Sequence, residues 1–160
     1  MARSKNTSPG PDGVPFSAWR AAPDLAAPLL FGALSLLLEG KAPLKGFNHA
    51  ILFLLPKKAT GLVADTRPIS VTNTDNRLLA SVVSHTLMPA TLELVDPAQQ
   101  GFLWGRNGAK HTYDINSFFY QGVVERLDRF VFFLDTAKAF DSIDHEWIFK
   151  VLSPAGFPRG

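Results

Sequence analysis

Three aspartates near the C-terminal end of the sequence have the residue type and spacing needed for metal chemistry. Asp135 directly follows the apolar run at residues 130–134, and Asp141 and Asp144 come shortly after it. A carboxylate at the end of a buried strand is costly to desolvate unless a cation or solvent meets it. Mg²⁺ takes oxygen ligands and suits phosphate chemistry, so Asp135 is a candidate metal ligand. The alternative, which spacing alone favours, is that Asp135 ends the strand and that Asp141 and Asp144 cap the next helix.

A second candidate site consists of the cations Lys57, Lys58 and Arg67. Residues 51–55 form a short apolar run closed by a proline, which predicts a buried strand, and residues 66–71 predict a return strand. Cations near the tip of such a hairpin can bind a triphosphate, since arginine offers a bidentate fork and lysine a point charge. The alternative is an ordinary solvated turn.

Other kinds of site find no support in the sequence. The sequence has no cysteine, which excludes disulfides, thiol catalysis and cysteine-ligated zinc. It also lacks a GxxxxGK[ST] phosphate loop and a nucleophile elbow for Ser–His–Asp hydrolysis. The four histidines lack the spacing of zinc ligands, so we expect them to be surface or satisfied core residues.

The elements that must position these residues are a mixture of helices and strands. Apart from the two strands above, the aromatic and β-branched run at residues 130–134 predicts a buried strand. Apolar spacing predicts four helices. The first is a buried helix over residues 25–38 capped by Asp24, and the second spans residues 78–87, is capped by Asn73 or Thr74, and is broken or kinked at Pro89. The third spans residues 115–123, and the fourth runs from Asp144 to residue 153 with its apolar side chains inward. Without regular βαβ alternation, the mixture predicts an α+β fold.

Length and composition suit one ordinary domain. The sequence has 160 residues, 46% of them hydrophobic, and a formal net charge of +2. This composition argues against disorder, and the small positive charge permits a nucleic-acid partner without requiring one. The most apolar stretch, residues 25–38, falls short of the roughly 20 residues that span a bilayer, so we expect no membrane partner.

A series of motifs along the chain resembles the reverse transcriptases of non-LTR retrotransposons and their group II intron relatives. The motifs cover nearly the whole sequence and occur in the order found in that family. They are Ser8-Pro-Gly-Pro-Asp-Gly-Val-Pro15, Leu54-Leu-Pro-Lys57, Arg67-Pro-Ile-Ser70, Asn73-Thr-Asp75, Leu78-Leu-Ala80, Gln99-Gln-Gly-Phe102, Gly105-Arg106, Leu134-Asp-Thr-Ala-Lys-Ala-Phe-Asp-Ser-Ile-Asp-His145 and Ala155-Gly-Phe-Pro158.

The resemblance implies a partial right-hand polymerase fold, with fingers and an incomplete palm but no thumb. Residues 1–15 would be a turn-rich N-terminal segment, residues 16 to about 125 the fingers, and residues from about 126 to 160 the start of the palm. The implied reaction adds deoxynucleotides from deoxynucleoside triphosphates to a DNA primer on an RNA template and releases pyrophosphate, with two Mg²⁺ ions or alternatively Mn²⁺. Further implied partners are the remainder of the polymerase, and the implied location is intracellular and nuclear.

The same resemblance implies roles for individual residues. Asp135 matches the first catalytic aspartate of the palm, which binds both metal ions, and the backbone of Thr136 would lie beside the second ion. Phe140 matches the aromatic residue under the sugar of the incoming nucleotide, where its ring would exclude a 2′-hydroxyl. Lys57 and Arg67 match the finger residues that face the triphosphate.

A template-side segment is implied by Gln99, Gly101, Phe102 and Arg106, although their roles are less defined. Lys58 is a further possible template contact, and its position beside Lys57 leaves open which lysine faces the triphosphate.

One element of the family has no match. The family carries an aromatic-x-Asp-Asp turn with further metal-binding carboxylates, and this sequence contains no Asp-Asp dipeptide. We therefore expect these 160 residues alone to be inactive as a polymerase. The alternative hypothesis is a non-catalytic remnant of a retroelement that binds nucleic acid weakly through its cations.

Overall fold

The computed structural model describes residues 7–43, 45–136 and 142–157 and divides into two compact units, Met1–Thr86 and Leu87–Gly160. It mixes helices with a small sheet, in agreement with the predicted mixture of elements. The helices and strands are α1 (Phe16–Ala21), α2 (Pro23–Leu38), β1 (Ala50–Pro56), β2 (Thr66–Thr72), α3 (Thr74–Leu94), α4 (Ala109–Glu125) and α5 (His145–Leu152).

The predicted hairpin is confirmed, because β1 and β2 pair antiparallel from Ala50 opposite Thr72 to Pro56 opposite Thr66. The sheet that they form has two strands, so Pro68 can face outward without leaving a ladder bond unmade. The prediction that the first strand is buried is wrong. All seven residues of β1 are exposed, since a two-stranded sheet without a second layer covers its side chains only by cross-strand neighbours.

Helix α2 begins earlier than its predicted cap. Ala22 is the N-cap residue and Pro23 occupies the first turn, where its fixed φ suits a helix and its missing N–H costs nothing. Asp24 therefore lies inside the first turn, and its prediction as the cap is wrong. The helix runs through Pro28 and is followed by Gly40 at φ 74°, a left-handed conformation that glycine adopts without strain.

The core of the first unit is small. Among the described residues, the buried apolar side chains are Phe16, Ala26, Leu30 and Leu79. Only Ala26 and Leu30 of α2 are buried, and Leu25 is 76% exposed, so the prediction of a buried helix holds for one narrow stripe.

Helix α3 begins at Thr74 and continues to Leu94 through Pro89. Of the two predicted effects of that proline, a break is therefore wrong, and a kink stays a prediction. A proline inside a helix has no N–H to donate to the carbonyl four residues earlier, but the neighbouring hydrogen bonds can carry the helix past it. No helix in the described ranges is both long and apolar enough to cross a bilayer.

The second unit contains α4 and α5 close to their predicted positions. Asp144 is the N-cap residue of α5, and its carboxylate accepts a hydrogen bond from the Glu146 N–H at 2.8 Å, which confirms the predicted cap. The apolar side chains of α5 were predicted to point inward, but Trp147 is 58% exposed and Val151 48%.

The strand predicted at residues 130–134 is absent, because residues 127–136 adopt neither helix nor strand. Phe132 is 85% exposed and Leu134 is 94% exposed. An apolar run becomes a strand only when another strand supplies hydrogen-bond partners, and within the described ranges β1 and β2 pair only with each other.

Candidate nucleotide-binding hairpin and template-side loop

The tip of the hairpin brings Lys57 and Arg67 to one face. Arg67 lies opposite Leu55 in the register, so both side chains point to the same side of the sheet. Lys57 comes two residues after Leu55, and its N–H donates to the Asp65 carbonyl at 2.8 Å, which continues the pairing beyond β1. Alternation along the chain therefore places Lys57 diagonally next to Arg67, a separation of roughly 7–8 Å between backbone positions.

Lys58 differs from Lys57 in its electrostatic surroundings. Its ammonium lies 3.6 Å from Asp65 Oδ1, and Asp65 Oδ2 accepts a hydrogen bond from the Thr60 hydroxyl at 2.6 Å. Among the described residues, Lys57 and Arg67 have no ion-pair or hydrogen-bond partner for their side chains, and both are exposed. The positive charges available to a ligand at this tip are therefore those of Lys57 and Arg67.

The turn that joins the strands is itself ordered by local bonds. Gly61 has a positive φ of 68°, a single 3₁₀ turn follows at Val63–Asp65, and the Thr66 hydroxyl donates to the Val63 carbonyl at 2.7 Å. Asp65 N–H also donates to the Leu62 carbonyl at 3.0 Å. Such a turn holds the two cations at fixed backbone positions.

In the second unit, Arg106 is surrounded by backbone carbonyl groups. Its guanidinium donates to four of them: Asp96 at 2.6 Å, Gln99 at 2.9 Å, Val95 at 3.2 Å and Leu92 at 3.3 Å. Leu92 lies in the last turn of α3 and Val95 directly follows the helix, where carbonyl groups lack helical partners and a positive charge is favourable. Arg106 thus has a structural role within its own chain, and its contact with template stays a prediction.

Two adjacent glutamines in the loop between α3 and α4 differ in their exposure and hydrogen bonds. Gln99, which was predicted as a template contact, is exposed and donates to the Gly101 carbonyl at 3.3 Å. Gln100 is 7% exposed, donates to the Pro97 carbonyl at 2.9 Å and accepts from the Asn107 N–H at 3.3 Å. Sequence reasoning missed this role of Gln100, since nothing local distinguishes the two glutamines.

Phe102 in this loop is 92% exposed and has a positive φ of 63°. This left-handed backbone conformation is unfavourable for a residue with a bulky side chain such as phenylalanine. The bonds of Arg106 and Gln100 on either side hold the loop in which it occurs.

The segment with the candidate catalytic aspartate is irregular where it is described. Asp135 and Thr136 follow the exposed Leu134 without regular secondary structure. Phe140 and Asp141 lie outside the described residues, so their predicted roles stay predictions. Lys57, Lys58 and Arg67 belong to the first unit and Asp135 to the second, and each unit is described by itself.

Comparison with known proteins decides the family. A model of the family described as "Reverse transcriptase (RNA-dependent DNA polymerase)" matches residues 55–160, which is more than half of the chain. The chain belongs to the reverse transcriptase family. The resemblance inferred from the motifs is thereby confirmed.

Curated relatives of this reverse transcriptase chain are retrotransposon proteins of the non-LTR type. It is 29% identical over 154 residues to the transposon TX1 uncharacterized 149 kDa protein of Xenopus laevis, covering 95% of this chain and 12% of the relative. It is 29% identical over 159 residues to the retrovirus-related Pol polyprotein from type-2 retrotransposable element R2DM of Drosophila melanogaster, covering 98% and 14%. The Pol polyprotein from type-1 retrotransposable element R2 of Nasonia vitripennis is 23% identical over 154 residues, covering 96% and 14%. The chain therefore spans a small part of these relatives, and no solved structure matches it significantly.

Reverse transcriptases generally use divalent metal ions, and a carboxylate such as that of Asp135 is the donor type that Mg²⁺ prefers. In the part of the chain that the structure describes, no three acidic, histidine or cysteine side chains come together as a metal site. Asp135 therefore fits the expected ion in chemistry but does not form a complete site with the described residues.

A cavity of about 720 Å³ lies in the first unit. Its walls are mostly apolar side chains of α2 with Phe47 and Leu79, and its polar lining includes Lys41, Lys45 and His49. None of the predicted site residues lines it, so the cavity is not the candidate site.

Proposed function

We propose that this chain supplies the triphosphate-binding hairpin and one metal-binding aspartate of an RNA-directed DNA polymerase. The parent reaction adds deoxynucleotides to a DNA primer on an RNA template. The observation that carries the proposal is the pair of exposed cations, Lys57 and Arg67, on one face of an ordered hairpin in a chain of the reverse transcriptase family. A triphosphate has the charge and oxygen acceptors that such a pair recognises.

We assign the hairpin and helices α1 to α4 to the fingers of a right-hand polymerase, over residues 16 to about 125, and the remainder to the start of the palm. The hairpin with its pair of exposed cations, Lys57 and Arg67, supports the assignment to fingers. The exposed apolar run before Asp135 supports a palm segment whose side chains pack only in the larger protein.

The chemistry expected at the palm needs more than these residues. Asp135 and the backbone of Thr136 would hold divalent ions, Mg²⁺ or Mn²⁺, and Phe140 would contact the sugar and favour deoxynucleotides. Bound ions would activate the primer hydroxyl and stabilise the leaving pyrophosphate. One carboxylate does not hold two ions, so we propose that the 160 residues alone extend no primer. Template-dependent, Mg²⁺-dependent extension by the purified chain that is lost in Asp135→Ala would overturn this part of the proposal.

Isothermal titration of the full 160-residue chain with a deoxynucleoside triphosphate and Mg²⁺ tests the hairpin. We expect Lys57→Ala and Arg67→Ala each to weaken binding about threefold to fivefold, the size of one exposed charge contact. The matched control is the double variant Lys58→Ala/Asp65→Asn, which removes an ion-paired lysine together with the charge of its partner. We expect its affinity to stay within about twofold of the starting chain, because the net charge of the tip is unchanged. Absence of triphosphate binding, or a larger loss in this double variant than in the other two variants, would refute the proposal.

A further inference from the structure

The turn-rich segment at residues 7–14 contacts the junction between the hairpin and α3. Strand β2 ends at Thr72 and α3 begins at Thr74, so Asn73 is the single residue that joins them. The Asn73 side-chain oxygen accepts a hydrogen bond from the Asp12 N–H at 3.2 Å, across 61 residues of sequence. The segment is therefore bonded to the joint itself.

Thr74 links the same segment to the first turn of α3. Its side chain is fully buried, and its hydroxyl donates to the Val14 carbonyl at 2.8 Å and accepts from the Trp19 indole N–H at 2.8 Å. A buried hydroxyl with both donor and acceptor roles satisfied is costly to replace by an apolar group, since the partners are left without bonds.

Gly10 permits the close approach of the two backbones. A Cβ atom added at Gly10 would lie 2.4 Å from Asn73 Oδ1, 2.5 Å from its backbone nitrogen and 2.6 Å from its Cα. Two of these atoms belong to the backbone of the joint and cannot rotate away. Any side chain at this position would therefore push the segment off Asn73.

Arg77, one turn further along α3, holds the start of the segment. Its guanidinium donates to the Thr7 hydroxyl at 2.9 Å and to the Ser8 carbonyl at 2.6 Å, and it lies 4.9 Å from the centre of the Phe16 ring. The contacts thus extend over the first turns of the helix.

The first strand of the hairpin is anchored to the same helix. The Asn76 side-chain amide donates to the Phe47 carbonyl at 3.1 Å and to Asn48 Oδ1 at 2.9 Å, just before β1 begins. At the base of the hairpin, the start of β1 is therefore hydrogen-bonded to the first turn of α3, and the end of β2 is joined to it through Asn73. All residues of β1 and four of the seven residues of β2 are exposed, so contacts at the base set the direction of the hairpin.

We propose that residues 7–14 form a clamp that fixes the hairpin relative to α3 and thereby positions Lys57 and Arg67 for a triphosphate. Gly10, Asn73 and Thr74 are positioning residues in this role and do not touch the ligand. The fixed direction of the hairpin relative to α3 follows from the contacts above. The effect on triphosphate binding rests on the proposed function of the hairpin.

Distance measurement between two spin labels tests the geometric part directly. The sequence contains no cysteine, so Ala59→Cys at the hairpin tip and Ser81→Cys on the exposed side of α3 give two unique labelling sites in the first unit. We expect a narrow distance distribution in the labelled full chain. Thr74→Val, which loses both hydroxyl bonds, and Gly10→Ala should broaden or shift it.

Matched controls separate positioning from general damage. Thr74→Ser keeps the hydroxyl and should restore the narrow distribution. Gly32→Ala is the same substitution as Gly10→Ala in the same unit, but its new Cβ meets nothing within 4 Å, so the distribution should not change. If Gly10→Ala fails to fold, Arg77→Lys tests the clamp in its place. This variant keeps the positive charge but cannot donate to the Thr7 hydroxyl and the Ser8 carbonyl at once, so it should also broaden or shift the distribution.

Triphosphate affinity of the same variants tests the functional part. We expect Thr74→Val to weaken binding about threefold to tenfold, the cost of ordering a mobile hairpin on binding, and Thr74→Ser to restore it. Unchanged distances in Thr74→Val and Arg77→Lys would overturn the clamp even if triphosphate binds. A chain that binds no triphosphate but shows the expected distances would refute the function of the hairpin and leave the clamp intact.

Discussion

Arg106 gives the most quantitative prediction for stability. Its guanidinium donates to four backbone carbonyl groups that span the end of α3 and the loop after it. We predict that Arg106→Lys destabilises the second unit, because an ammonium keeps the positive charge but cannot present a planar fork to several acceptors at once.

The magnitude follows from the surroundings of the four acceptors. The bonds to Asp96 and Gln99 are exposed, so water can replace the donor at little cost. The bonds to Leu92 and Val95 are partly buried, and each is worth roughly 1–1.5 kcal/mol. Arg106→Ala should therefore cost about 2–3 kcal/mol, and Arg106→Lys about half of that, since the charge near the helix end is retained.

Urea unfolding of the full chain, followed by circular dichroism and by amide exchange of the loop after α3, measures the effect. Arg126→Lys is the control, because it makes the same change at an exposed position in the same unit and should alter stability by less than about 0.5 kcal/mol. Equal stability of Arg106→Lys and Arg126→Lys would show that the carbonyl contacts do not hold the loop.

Three further substitutions test single features of the fold. Asp144→Ala should weaken α5 by about 1 kcal/mol through loss of the bond to Glu146, with Asp144→Ser restoring it in amide exchange; unchanged protection in the alanine variant would contradict the cap. Pro89→Ala should raise the melting temperature, since it replaces a residue of poor helix propensity inside α3 and relieves about 1–3 kcal/mol; a lower melting temperature would contradict this account. Phe102→Gly should stabilise the chain by up to about 1 kcal/mol in urea unfolding, because the ring is 92% exposed and its φ is 63°. A loss of stability in Phe102→Gly would contradict this prediction, because it would mean that the ring makes a stabilising contact.

Features set by neighbouring residues could be predicted from the sequence. The hairpin follows from two apolar runs around a polar turn, and the start of α5 follows from an aspartate before an apolar helical pattern. In both cases the determining contacts lie within a few residues of each other, so the local pattern contains the information.

Features that depend on distant partners could not be predicted. The run at residues 130–134 has the composition of a buried strand, but strand formation needs a neighbour, and the composition of one segment does not reveal whether one is present. The resemblance to the family implied a template contact for Arg106. Its carbonyl partners could not be predicted, because they depend on where α3 ends relative to the loop that follows it. The contact of Gly10 with Asn73 joins residues far apart in sequence and leaves no periodic signal.

The central claim is that the hairpin recognises a chain of phosphates through Lys57 and Arg67. The most direct measurement compares the affinity of the full chain for a deoxynucleoside triphosphate with its affinity for the matching monophosphate, in the starting chain and in the Lys57→Ala/Arg67→Ala double variant. We expect the triphosphate to bind about tenfold more tightly in the starting chain, and we expect this preference to disappear in the double variant. Equal affinities for the two nucleotides in the starting chain, or a preference that survives in the double variant, would contradict the account.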